Sequence, residues 1–240
     1  MSPYDTNLLA LARANPETIA EVVDALRAID ELLPATDGLK WFNLLYLQLT
    51  EAVQTRIAGG GFADPDWIER LDVEFALMYL KTLEALLESR TAPECWGVVF
   101  ERRGDAMLAR IQFALAGSNA HINHDLPLAI IRTCELTGVG PAHGSAQYND
   151  FAALNSTLEA LFESAKRTLH VRLPGGALPE LSHVEDTVTA WNVTAAREAA
   201  WVNAEALWTI RDASLLAGRY MGMLDGITTV IGKSLLVAAT

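Results

Sequence analysis

Apolar residues recur at three-and-four spacing along almost the whole chain. In "NPETIAEVVDALRAIDELLP", Ile19, Val22, Val23, Leu26, Ile29 and Leu33 form one helical stripe. Asn15 reads as its N-cap with Pro16 at the first helical position, and Pro34 ends it. "DGLKWFNLLYLQLTEAVQTRIAGGG" is apolar round most of its circumference from Leu39 to Leu49, the mark of a buried central helix, and glycines 59–61 terminate it. Asp64-Pro65 repeats the cap-then-proline start ahead of "DWIERLDVEFALMYLKTLEALLES". The next helix is predicted to run from Pro93, with an irregularity at Gly104, into "AGSNAHINHDLPLAI". Pro127 disfavours the helical region at Leu126, so a kink or restart is expected right after Asp125. "DFAALNSTLEALFESAKRTLH" is amphipathic through Phe151, Leu154, Leu158, Leu161, Phe162 and Leu169. The breakers "LPGGALPE" follow, and the last third reads as helical from about residue 183 to the end.

No strand-like alternation and no long repeat interrupts this pattern. It predicts an all-α fold: a single compact multi-helix domain of about seven to nine helices over residues 1–240, with residues 1–15 as a peripheral N-terminal segment. A chain of 240 residues buries a sizeable core without metals or disulfides. Gly218, Gly222 and Gly226 recur every four residues and are expected to let another helix approach closely. Trp201 and Trp208, seven apart with Glu198, Glu205 and Asp212 beside them, form either a core seam or the aromatic wall of a pocket.

Charge narrows the function classes. Eighteen basic against thirty acidic residues give a net charge of −12, and no Lys/Arg-rich block offsets it, so a nucleic-acid partner is not expected. Cys95 and Cys134 lie far apart in no paired pattern and read as reduced, buried thiols, which places the protein in the cytoplasm. The N-terminus lacks a secretory pattern. The apolar C-terminal stretch is interrupted by Asp225 and Lys233 well short of the ~20 residues a membrane span needs. Self-association is compatible with all of this.

The candidate chemistry is concentrated in "AGSNAHINHDLPLAI". On a helix, His121, His124 and Asp125 share one face and Asn119 and Asn123 another. Each buried polar group needs a partner, since leaving one unsatisfied costs roughly 1–3 kcal/mol. The i, i+4 pair His121/Asp125 orients an imidazole and raises its basicity, which suits a general acid–base group. Adding His124 makes a two-histidine, one-carboxylate metal site conceivable, with Asp72 or Glu74 as a further ligand. A structural network that fixes the kink before Pro127 is the plain alternative. No HExxH or Cys/His zinc spacing occurs, and the sole Glu-x-x-His match, Glu180 to His183, sits in a loop beside Pro179. No cofactor is therefore predicted, with a mononuclear Fe, Mn or Zn centre as the alternative. "RLDVEFALMYL" places Asp72, Phe75, Ala76 and Tyr79 on one helical face, where a carboxylate among aromatics needs a partner. "WFNLLY" likewise buries Asn43 and Tyr46.

"NAHINHDLP", "DGLKWFNLLYLQLT" and "FADPDWIERLDVEFALMYL" resemble, in the same order and spacing, a bacterial family common in actinomycetes and catalogued as domain of unknown function 5995. The likeness extends from about Asp37 to Phe162. It implies no reaction. It implies that Asp37, Asn43, Tyr46, Asp72, Asn119, His121, Asn123, Asp125 and Asn155 belong to the family pattern, with His124 at a variable position.

The expectation is an enzyme that performs acid–base chemistry on an apolar small molecule. His121 would be the acid–base group, Asp125 or Asp72 its orienter, and Asn119 or Asn123 a substrate or oxyanion donor. Asn43, Tyr46, Asp72 and Asn119 are expected to converge on His121 in one interior cavity, with Tyr79 and Trp201 or Trp208 on its wall. The competing classes are a metal-dependent oxygenase or hydrolase, and a helical protein that binds a small ligand without turnover or uses the polar cluster only for structure.

Overall fold

The computed structural model describes residues 2–169 and 191–238, and every regular element among them is helical. In chain order they are α1 (Asp5–Ala12), α2 (Ile19–Leu32), α3 (Leu39–Ala58), α4 (Pro65–Leu87), α5 (Glu94–Arg102) and α6 (Arg110–Ala120). A π-helical turn (His121–Asp125) leads into α7 (Leu126–Thr137), followed by α8 (Ala146–Ala153), α9 (Asn155–Thr168), α10 (Val193–Ile210) and α11 (Ser214–Leu235). With α6, the π turn and α7 joined, and α8 joined to α9, these are nine continuous rods among the described residues.

The caps follow local chemistry, with one correction. α4 starts as expected: Pro65 opens it, and the Asp64 carboxylate accepts from the Trp67 amide at 3.2 Å. α2 starts three residues later than Asn15-Pro16 implied. Its cap is Thr18, whose hydroxyl accepts from the Glu21 amide at 3.3 Å, while the Glu21 carboxylate takes the Glu17 amide at 2.7 Å. Two orphan donors near the helix start are thereby satisfied by side chains, which the Asn15 alternative does not achieve.

The single helix expected through Gly104 is instead two, α5 and α6, separated by residues 103–109. The break is set from a distance. The buried Arg103 guanidinium is paired with Asp5 and, at 3.1 Å, with Asp37, and the Arg103 carbonyl accepts from the Gly38 amide at 2.6 Å. The same cluster docks the N-terminus, since the Tyr4 hydroxyl donates to Asp37 at 2.6 Å and Leu8 and Ala12 of α1 are buried in the core. The N-terminal segment, from residue 2 on, is thus an integral part of the fold.

α3 lies at the centre, burying Trp41, Phe42, Asn43, Leu45 and Tyr46, and crosses α6 closely at Gly117. A Cβ at Gly117 would come within 2.4 Å of the Phe42 ring. Gly117→Ala should therefore cost about 1–3 kcal/mol by overpacking, visible as a lowered thermal midpoint. Gly218, Gly222 and Gly226 do not play the role expected of them: none of the described residues lies within 4 Å of a Cβ at any of the three. They face outward on α11, on the side that also exposes Leu215, Met223 and Val230. The predicted start near 183 and the Glu180/His183 pair lie outside the described residues. No helix among the described residues is long and apolar enough to cross a membrane.

Candidate functional site

A kink or restart was expected right after Asp125, and a restart is what occurs: a π turn ends at Asp125 and an α-helix begins at Leu126, which is itself helical (φ −61°, ψ −42°). The Leu126 amide donates to the carbonyl of His121, a bond spanning five residues. Pro127 has no amide hydrogen to offer the preceding turn, and a widened turn accommodates the unused carbonyl without breaking the rod. Such turns are frequent at functional sites.

This turn aims two of its imidazoles at its own carboxylate, and Trp96 of α5 adds a third donor. Asp125 Oδ2 accepts from the Trp96 indole at 2.8 Å and pairs with His121 Nδ1 at 2.9 Å, while Oδ1 pairs with His124 Nδ1 at 2.7 Å. All of these residues are buried. Burial alone would raise the Asp125 pKa, but the two imidazole bonds outweigh it and hold the carboxyl below its usual range. Asp125 is therefore an anion that accepts only, so His121 donates from Nδ1 and its Nε2 carries the lone pair. Burial keeps His121 below the ordinary histidine value despite Asp125, so the ring is neutral at pH 7. For His124 the balance is reversed: burial lowers its pKa, but the bond to Asp125 and the charges of Asp125 and Asp225 prevail and raise it.

His121 Nε2 has no hydrogen-bond partner among the described residues. The ring lies flat on Phe75, centroids 3.5 Å apart and planes within 5°, with Tyr46 edge-on at 4.7 Å and Phe42 at 5.6 Å. His121 also lines a narrow, mainly apolar cavity of about 70 Å³. Phe42, Tyr46, Thr50, Asp72 and Phe75 border it on one side, and Leu158, Phe162, Val193 and Arg197 on another. Three further buried polar atoms on this lining lack a well-formed hydrogen bond among the described residues: Asp72 Oδ2, and Tyr46 Oη and Thr50 Oγ1, which lie near each other. A handful of under-satisfied polar atoms around one apolar space is the arrangement expected of a ligand site. Burial, reinforced by Glu69, pushes the Asp72 carboxyl up to about 7; burial and the Asp72 and Asp125 charges push the Tyr46 phenol up.

The sequence-predicted residues divide into two groups. His121, Asp72 and Tyr46 share the cavity, and Asp125 stands behind His121. Tyr79 sits one layer back, edge-on to Phe42 at 5.1 Å, its hydroxyl unpartnered. The asparagines go elsewhere. Asn43 donates to the Leu26 carbonyl at 2.8 Å, Asn119 to the Thr228 carbonyl at 2.9 Å, and Asn123 to Asn119 at 2.9 Å. They tie helices together and do not line the cavity. Trp201 packs on Phe151, Trp67 and Tyr148 in the core, and Trp208 lies under Arg211 beside Gly140. Neither is on the cavity wall. The alternative metal set of His121, His124 and Asp72 is not grouped around one point. Among the described residues no three His, Cys, Asp or Glu side chains are grouped to hold a metal ion. Trp96, Thr50 and Arg197 are site residues that the sequence pattern did not single out.

Asp72 yields a pH prediction. A carboxyl at about 7 in the fold against 3.8 in the open chain retains its proton better when folded. Between those values the folded state binds more protons, so this contribution to stability is complete below about pH 4 and is lost as pH rises towards 7. The full shift corresponds to about 4 kcal/mol. Although Oδ2 is sealed, the residue as a whole is only partly buried, so roughly half of that is expected. Denaturant titrations of the wild type and Asp72→Asn at pH 5 and pH 8 should show the wild type losing stability relative to the variant as pH rises.

Residues 19–238 match the family of unknown function DUF5995, nearly the whole length of the chain, and the chain belongs to that family. No curated protein and no solved structure matches it.

Proposed function

We propose that this protein binds an apolar small molecule in the cavity and moves a proton on it, with His121 as the general base. The observation that carries this reading is the state of His121: Nδ1 is fixed by an anionic carboxylate, and a fully buried Nε2, on a residue that lines the cavity, is left without a partner among the described residues. Nε2 takes a proton from the substrate, and Asp125 stabilises the imidazolium that results. Asp72, held near neutrality on the same lining, is suited to return a proton at a second position, giving an isomerisation with no net gain or loss of protons. Phe75 and Tyr46 restrict the imidazole to one orientation.

Hydrogen–deuterium exchange tests this even while the substrate is unidentified. A panel of apolar ketones and unsaturated acids is incubated with the protein in D2O and read by mass spectrometry. Saturable, protein-dependent deuterium uptake is expected for at least one compound, slowed about 100-fold or more in His121→Gln. Uptake that is equal in wild type and variant for every compound would sink the catalytic reading. Binding without uptake would assign the cavity to ligand storage, which uses the same apolar lining but not the base.

A further inference from the structure

The two well-buried arginines among the described residues are treated differently. Arg103 is neutralised by Asp5 and Asp37. Arg197, 7% exposed on α10, has no carboxylate partner among the described residues. Its Nε donates to Asn155 Oδ1 at 2.9 Å and its Nη2 to the Phe151 carbonyl at 2.7 Å, both neutral acceptors. The guanidinium carbon rests 3.8 Å from the Phe151 ring centroid. Nη1 makes no hydrogen bond among the described residues. Glu198, next in sequence, is engaged by His143 and Tyr148, and Asp150, next to the contacted Phe151, accepts from the Ala63 and Asp64 amides. Burial lowers the Arg197 pKa to about 9, which still leaves a cation at neutral pH.

Arg197 lines the same cavity as His121. Apolar side chains of Leu71, Ile122, Leu154, Leu158 and Phe162 also line this space. We propose that the ligand is an apolar carboxylic acid whose carboxylate pairs with Arg197 and whose hydrocarbon body extends through the slot towards His121 and Asp72. The proposal rests on the reading of this cavity as a ligand site. A buried charge without a counterion among the described residues is unfavourable, and a bound anion supplies a partner. One cation calls for one negative charge, and a planar guanidinium fork fits a carboxylate, whereas a phosphate dianion would bring a surplus charge into an apolar slot. The acidic surface of the chain slows an anion's approach but acts at long range through screened solvent, not at the anchor.

Calorimetric titration of the full chain with the straight-chain acids from hexanoic to dodecanoic, their methyl esters, the matching alcohols and alkyl phosphates decides the matter. The acids are expected to bind at least about tenfold more tightly than their esters and alcohols. Arg197→Gln should erase that difference, and Arg197→Lys should keep part of it. If acids, esters and alcohols bind alike, the carboxylate anchor is overturned and the apolar ligand site stands. Tighter binding of the phosphates overturns it in favour of a phosphate ligand. If no compound binds, the ligand-site reading falls with it. Should Arg197→Gln fail to fold, the ligand comparison on the wild type and Arg197→Lys still decides.

Discussion

Asp125→Ala is expected to lower the thermal midpoint by about 10 °C, the largest stability loss of any single change at the site. Three donors converge on this carboxylate, from Trp96, His121 and His124, and all are buried. Removing the acceptor leaves them unpaired in a region where water does not replace it, at roughly 1–3 kcal/mol each before relaxation. Breaking a buried charged pair typically costs about 3–5 kcal/mol in total. In a chain of this size each kcal/mol moves the midpoint by about 2–4 °C. Asp125→Asn should lose less, because its amide oxygen still accepts from Trp96 but cannot serve both imidazoles. Acid should shrink the gap between wild type and Asp125→Ala. The folded-state pKa of Asp125 is depressed, so its contribution is present above the ordinary carboxylate range and is lost as pH falls through the folded value. Calorimetry at pH 7 checks the first part. A midpoint within about 2 °C of the wild type would mean that the carboxylate does not hold the π turn in place.

Much of the fold is legible in the sequence because helical periodicity is local: each stripe is readable independently of its neighbour. What the sequence conceals is set by contacts distant along the chain. The break between α5 and α6 follows from Arg103 pairing with Asp5 and Asp37, and a separation of 98 positions between Arg103 and Asp5 leaves no periodic trace. Pro127 announces an irregularity but does not distinguish a kink from a π turn, since both accommodate a missing amide donor.

The site divides along similar lines. Burial cost suggested that polar residues on apolar helices gather in one place, and this fails for the asparagines. Asn43 and Asn119 each donate to a backbone carbonyl of a neighbouring helix, on Leu26 and Thr228, which requires no polar cluster. His121 and Asp125 pair directly, and Asp72 shares the cavity with His121. The Arg197 signal was present but faint. Its neighbours three and four positions away, Val193, Thr194, Ala200 and Trp201, include no acid, which is unusual for a cation on the buried face of a helix.

The proposed chemistry predicts a bell-shaped dependence of turnover on pH, and it predicts which limb each residue controls. His121 must be unprotonated to act as base; burial holds its pKa below the ordinary value, so activity rises with pH on the acid side of 6.5. Asp72 must be protonated to act as the acid, and its proton is lost near 7, so activity falls above neutrality. The two limbs lie close together, which makes the maximum narrow and its apparent values properties of the pair. Asp72→Asn removes the titrating acid. Turnover at the optimum should fall about 100-fold, and the alkaline limb should disappear, leaving a curve that rises through the His121 titration and then stays flat. A purely structural role for Asp72 would lower activity at every pH and preserve the bell. The deuterium-uptake rate of the best compound, followed from pH 5 to pH 9 in both proteins, separates the two cases. A wild-type profile without an alkaline limb would show that the returning proton comes from another group, and the Tyr46 hydroxyl, without a well-formed hydrogen bond among the described residues and on the same lining, is the one to replace next.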